Sequence, residues 1–251
     1  MVTSPRRTHP SWYVAGVSLI LLAVMTVALM VAGPHTSFAV DTWWQQIMDD
    51  IRSPALMSLA RGLDTLGTGI LGIVVVPLLV IGALLIARRP WGALTFVGAV
   101  GGSAVATQVL KHVVGRDRPV SAFVDTDFGS FPSGHVSHAA VMTIVLAVIL
   151  RRAWMWVVAA VYTTVMMASR TLLGVHWLSD VVAGLLLGLA VALIAWRAGT
   201  WLRARREVGR SGQPADVVRT TIFPVFSPRM RPRKASTEFS IPSTTVSSKT
   251  T

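Results

Sequence analysis

The sequence predicts an all-α polytopic membrane protein, a bundle of six transmembrane helices, and three observations carry that prediction. Hydrophobic residues make up 53% of the 251 and charged residues only 14%, against about 25% charged in an ordinary soluble domain. The apolar residues gather into long runs separated by short polar stretches. Arginines flank those runs in pairs: Arg6 with Arg7, Arg88 with Arg89, and Arg151 with Arg152. A chain of this size and composition makes one helical bundle rather than several domains.

A hydrocarbon core about 30 Å thick takes roughly 20 helical residues. Six segments read as spans: 12–33, 69–87, 91–110, 134–150, 154–170 and 177–196, the fourth and fifth being short for a crossing. With six crossings the N-terminus, both inner arginine turns and the C-terminal tail fall on one side. The positive-inside rule makes that side cytoplasmic, so the loops after the first, third and fifth spans face outward. Ser37-Phe38-Ala39 resembles a small-residue cleavage site, but the apolar stretch before it exceeds a signal h-region, and the first span reads as an uncleaved anchor.

Residues 34–68 form the longest outer segment. Ile47, Ile51, Leu56, Leu59, Leu63 and Leu66 recur there at spacings of three and four, with Asp49, Asp50 and Asp64 among them and Pro54 between the two halves. That pattern suits two amphipathic helices at the membrane surface or a packed loop over the bundle. The organisation is therefore a cytoplasmic N-terminus at 1–11, a membrane domain at 12–200 and a tail at 201–251. Ten of residues 235–251 are Ser or Thr, and Pro214, Pro224, Pro228, Pro232 and Pro242 punctuate the region, a composition that predicts disorder.

The absence of cysteine excludes disulfide frameworks, cysteine-ligated metals and thiol nucleophiles. A net charge of +12 raises the question of nucleic acid, and its distribution answers it. Eleven of the 23 basic residues lie from Arg197 onward and most others flank spans, a topology marking with a polybasic tail, not a nucleic-acid groove. Trp12, Trp91, Trp154, Trp177 and Trp196 lie near span ends, where interfacial anchors belong.

Ionisable residues bordering the spans need a reason, since a charge at a helix centre costs roughly 2.5–3.5 kcal/mol. Three clusters stand out: Lys111 with Arg118-Pro119, Pro132-Ser133-Gly134-His135, and Ser169-Arg170 with His176 and Asp180. The topology brings all three to the outer membrane face. Lys111, Arg118 and Arg170 supply cations, and the arginines offer forked donors for phosphate oxygens. Ser133 and Gly134 open a helix whose free N–H groups favour an anion. His176 and Asp180, four residues apart, share a helix face, so the carboxylate can orient one imidazole nitrogen and leave the other as a nucleophile. His135 is a second imidazole, able to protonate a leaving oxygen. His138, one turn further on, is placed to line the site but reads first as packing or a helix-face hydrogen bond, and Gly101-Gly102 as a site of close helix packing.

In order and spacing these three clusters resemble the signature of the type 2 phosphatidic acid phosphatase family, whose superfamily also holds vanadium-dependent haloperoxidases. The resemblance implies that Lys111, Arg118, Ser133, Gly134 and Arg170 bind phosphoryl oxygens. It implies that His176 attacks phosphorus with Asp180 orienting it, and that His135 serves as general acid. It leaves His112, Arg116 and Asp117 as free positions within the first motif. It implies a cell-membrane enzyme that hydrolyses phosphate monoesters or diphosphates with no metal or cofactor. Its partners would be a lipid phosphate and the bilayer, not nucleic acid. A polyprenyl diphosphate, undecaprenyl diphosphate above all, is the expected substrate, with phosphatidate or phosphatidylglycerophosphate as the alternative. A haloperoxidase-like enzyme and a phospholipid transporter are the rival classes. The transporter is disfavoured by the lack of convincing charged or broken-helix residues at the midplane.

Overall fold

The computed structural model describes residues 10–67, 70–119, 122–124 and 128–211. Residues 201–211, assigned to the tail in the sequence, are instead the last turns of the eighth helix, and the rest of the tail lies outside the described residues. Among the described residues eight α-helices follow in order: α1 Pro10–Ala32, α2 Ala39–Ile51, α3 Pro54–Gly67, α4 Val76–Ile86, α5 Pro90–Val114, α6 Gly134–Leu150, α7 Ala153–Leu172 and α8 Leu178–Ser211. A π-helical turn, Leu71–Val75, leads into α4, and no strand occurs among the described residues.

Each predicted apolar segment coincides with one of these helices, and α6 begins and ends at the predicted residues. Among the described residues, four helices are long and apolar enough to cross a membrane: Ser11–Ala32, Pro90–Val114, Ala153–Leu172 and Leu178–Val208. Leu71–Ile86 and Gly134–Leu150 are apolar but shorter. The apolar helices carry large bare side chains, among them Ile20 at 64% and Val31 at 84% exposure on α1 and Ile86 at 86% on α4, which water would penalise and lipid tails do not. The chain is a multi-pass membrane protein.

Between the first two apolar helices, α2 and α3 break apart just before Pro54, which sits at the first turn of α3 where its missing N–H costs nothing. Met48 of α2 and Ala60 of α3 pack with Leu172, Leu173 and Val175 at the end of α7. The amphipathic pair therefore roofs one end of the bundle. At the opposite end, Arg89 Nη1 donates to Ile149 O at 3.0 Å. The two arginine turns thus lie side by side, each with an arginine, Arg88 or Arg151, at φ +56°.

The core runs through α4, α5, α6 and α8, where Phe96, Ala99, Val141, Val145 and Ala192 are all but fully buried. The close α6–α8 contact is made by Gly184 and Gly188. A Cβ on Gly184 would lie 2.7 Å from Ser133 O, and one on Gly188 2.7 Å from both Ser137 O and Ala140 Cβ. The glycine pair expected to pack closely, Gly101-Gly102, does not do so: nothing lies within 4 Å of a Cβ on Gly101, and a Cβ on Gly102 would make only an ordinary contact with Val191 at 3.7 Å. Small residues permit close packing, but the face they occupy decides whether a neighbour is there.

Candidate active site

The site lies at the roofed end, where α5, α6, α7 and α8 present their termini. Gly115 takes φ +57°, and its N–H reaches back 2.9 Å to Lys111 O, ending α5 one turn after Lys111. Lys111 is buried, and its Nζ donates to Gly129 O at 3.1 Å and Phe128 O at 3.4 Å. Arg118 Nη2 shares Gly129 O at 3.0 Å, and Nη1 donates to Val175 O at 2.7 Å. The returning loop thereby fixes both cations.

Ser133 caps α6, and its N–H donates to Asp180 O at 3.0 Å. Its Oγ is buried with no partner among the described residues. Arg170 in the last turn of α7 is only 1% exposed. Its Nη1 meets Asp64 Oδ1 at 2.5 Å and His135 Nε2 at 2.9 Å, while Nε and Nη2 are buried without partners. Buried hydrogen-bond donors left unused are costly. Two of these belong to a permanent cation, so an anion is the ligand that satisfies them.

His176 lies in the short turn between α7 and α8 and is 3% exposed. Its Nδ1 stands 3.7 Å from Asp180 Oδ2, an ion-contact distance longer than a hydrogen bond. Arg118 Nη1 approaches Nε2 at 3.4 Å, which assigns the lone pair to that nitrogen. Burial pushes the imidazole down to about 4, against the upward pull of Asp180 and with the help of Arg118 and Lys111. Asp180 is fixed from both sides, Oδ2 accepting from Trp177 N at 2.9 Å and Oδ1 from Arg116 Nη1 at 2.6 Å.

These groups share a cavity of about 420 Å³. Of the eight residues singled out in the sequence, Lys111, Arg118, Gly134, His135, Arg170 and His176 line it. Ser133 and Asp180, both fully buried, stand behind that lining. His138 also lines the cavity, and its Nε2 contacts Gly72 O of the π-helical turn at 3.2 Å, a bond to another element in place of the helix-face bond expected for it. The apolar part of the cavity passes Ile73 and Ala104.

Two carboxylates escaped the sequence reading. Asp64 on α3 lines the cavity, and its hydrogen bond with His135, reinforced by Arg170 and opposed by burial, holds it down at about 2. In the sequence it is one acid on an amphipathic helix. Asp41 on α2 is wholly buried and pairs with Arg116, a position the signature leaves free. Asp64 is the one acid of α3, whereas Asp41 is the first of three in α2, and neither stands out by spacing.

Comparison with known proteins gives a consistent result. The family model of the PAP2 superfamily matches residues 92–204, which include all eight singled-out residues. Phosphatidylglycerophosphatase B of Bacillus subtilis is 32% identical over 151 residues, covering 55% of this chain and 73% of that protein. The crystal structure of a transmembrane PAP2-type phosphatidylglycerolphosphate phosphatase from Bacillus subtilis shares the fold, with a TM-score of 0.64 and 24% identity, over 73% of this chain and 94% of that one. Decaprenylphosphoryl-5-phosphoribose phosphatase of Mycobacterium tuberculosis is 36% identical over 160 residues, covering 61% of this chain and 87% of that protein. Identity at this level across nearly the whole of a relative fixes the assignment: the chain belongs to the PAP2 superfamily.

Proposed function

We propose that this protein is an integral membrane phosphatase that removes phosphate from a lipid phosphate or diphosphate through a phosphohistidine on His176. One observation carries the reading. A buried neutral imidazole shares a cavity with three cations, one of which holds two unused donors.

In the first step His176 Nε2 forms a bond to phosphorus in line with the departing oxygen, whose bond to phosphorus breaks. His135 gives that oxygen its proton. Lys111, Arg118, Arg170, Ser133 and the N–H of Gly134 hold the equatorial oxygens as charge gathers on them, the main source of rate in phosphoryl transfer. Water then attacks the phosphorus–nitrogen bond, giving a proton back to His135, and inorganic phosphate leaves with His176 restored. Asp180 keeps the His176 ring aligned through both steps.

The substrate class we favour is a polyprenyl phosphate or diphosphate. Support comes from the relative that acts on a decaprenylphosphoryl sugar phosphate and from the apolar arm of the cavity past Ile73 and Ala104. The second reading, phosphatidylglycerophosphate, is favoured by the Bacillus relative that bears that name. Six crossings, with Leu71–Ile86 and Gly134–Leu150 as the short ones, put the adjoining arginine turns and both termini on the cytoplasmic side. The active site then opens on the outer face.

Phosphate release by the purified protein in detergent with EDTA tests the reading. Undecaprenyl diphosphate, phosphatidate and phosphatidylglycerophosphate would be offered to the parent and to His176→Ala. Release by the parent and its loss in the variant is the expected result. A folded parent inert toward all three lipids would overturn it.

A further inference from the structure

Behind His176 lies a buried charge cluster of which the reaction as written uses Asp180 alone. Arg116, with none of its side chain exposed, bridges two carboxylates: Nη2 meets Asp41 Oδ2 at 2.7 Å, and Nη1 meets Asp180 Oδ1 at 2.6 Å. Nη1 also donates to Ser179 Oγ at 2.7 Å and Nε to Thr36 O at 3.2 Å. Asp41 in turn accepts from Ser179 N at 2.8 Å and Ser179 Oγ at 2.8 Å, the first turn of α8. The path Asp41–Arg116–Asp180–His176 runs from the outer amphipathic helix to the imidazole in consecutive polar contacts.

Burying one guanidinium with two carboxylates is costly, and apolar side chains would pack the same space with less penalty. The arrangement instead matters for what it does to Asp180. A lone carboxylate in a low-dielectric site would draw a proton onto the neighbouring imidazole, and an imidazolium has no lone pair for phosphorus. A cation on the opposite oxygen weakens that pull while holding the carboxylate in place.

We propose that Arg116, itself carried by Asp41, is a positioning residue that acts through Asp180 to keep His176 aligned and unprotonated. The inference rests on His176 being the nucleophile. The groups facing His176 are Asp180 from α8, Lys111 from α5 and Arg118 from the loop after it, while Arg170, His135 and Asp64 share its cavity. Both cations beside His176 already disfavour its protonation, so removal of Arg116 unbalances the site in one direction only. Asp41 and Asp180 are left without their common cation, and the proton affinity of His176 rises.

The test is the pH profile of kcat/KM between pH 3 and 8, with the full chain in detergent and undecaprenyl diphosphate and phosphatidate as probes. Arg116→Met moves the acid limb up by about one pH unit, so that it loses about tenfold more activity at the foot of the limb than at neutral pH. Arg116→Lys, which keeps the cation, restores most of the parent limb. Asp41→Asn leaves Arg116 wholly to Asp180 and moves the limb down. A uniform loss in Arg116→Met with the limb unmoved would overturn the proposal, since a packing defect lowers activity without changing what titrates. Should Arg116→Met fail to fold, Asp41→Asn decides: a downward move supports the proposal and an unmoved limb overturns it. Full activity in His176→Ala would remove the nucleophile assignment itself, and this inference with it, whatever the Arg116 variants do.

Discussion

Asp64 Oδ1 lies 2.5 Å from Arg170 Nη1, placing a carboxylate inside a cradle otherwise built of cations. The same oxygen is 3.2 Å from His135 Nε2. Asp64 therefore does two things. It holds the Arg170 fork in place while the site is empty, and it gives a protonated His135 a counter-charge. Nε2 of His135 thus stands between the Asp64 carboxylate and the Arg170 guanidinium.

Loss of Asp64 should accordingly be felt in turnover. Asp64→Ala is expected to lower kcat by roughly ten- to a hundredfold, within the range that general acid catalysis supplies. Asp64→Asn keeps an acceptor for Arg170 but not the charge, so its loss should be smaller. Steady-state phosphate release checks both variants, and an unchanged kcat in Asp64→Ala would count against the pairing with His135.

The low value of His176, about 4, sets the acid side. The neutral form is the nucleophile, so activity should persist down through pH 5 and fall as the pH drops through 4. An acid limb near 6.5 would mean that the imidazole titrates as if in water. Stability should follow the same sign. The unfolded chain takes up a proton on this residue below about 6.5, whereas the folded one does so only near 4. The folded state then loses ground as pH falls between those values. Thermal melts in detergent at pH 7 and pH 5 would show the lower midpoint at pH 5.

The glycines of α8 give a prediction about packing. A Cβ on Gly184 presses on Ser133 O, a backbone atom at the mouth of the α6 N-terminus, with 2.7 Å between them. Gly184→Ala should therefore reduce activity more than stability, because it displaces the phosphate-holding end of α6. Gly188→Leu meets Ser137 O and Ala140 Cβ, also at 2.7 Å, deeper in the bundle. It should lower thermal stability by about 1–3 kcal/mol, as overpacking does. Gly101→Ala, with open space around it, should leave both properties near the parent. Melting temperature and phosphate release on the three variants separate these outcomes.

What was legible in the sequence follows from the range of the interactions. Helices declared themselves by apolar runs and by Pro54, local features that need no partner. The motif residues were legible because short spacing implies proximity: His176 and Asp180 do approach each other, although His176 precedes α8 in the turn and the two share no helix face. Asp64 with Arg170 and Asp41 with Arg116 are 106 and 75 residues apart, and nothing local says which arginine an acid on an amphipathic helix will meet. The same holds for the glycines. Gly101-Gly102 and Gly184 with Gly188 are equally small, and only the helix orientation tells which pair faces a neighbour.

The unused donors of Arg170 lead to a prediction that requires no turnover. Nε and Nη2 are buried without partners, as is Ser133 Oγ, so an oxyanion in the cavity satisfies groups that are otherwise desolvated to no gain. Orthophosphate, or orthovanadate as a mimic of the five-coordinate phosphorus, should raise the melting temperature in a concentration-dependent manner. Arg170→Lys keeps the charge but loses the fork, and a lysine has no second arm to offer once Asp64 holds its ammonium. Its dissociation constant for the anion, read from the same melts, should rise by roughly ten- to a hundredfold. Ser133→Ala removes a single neutral donor and should weaken binding by less, about two- to tenfold. If Arg170→Lys binds the anion as tightly as the parent does, the free donors do not face the ligand, and the cradle must be built from Lys111 and Arg118 alone.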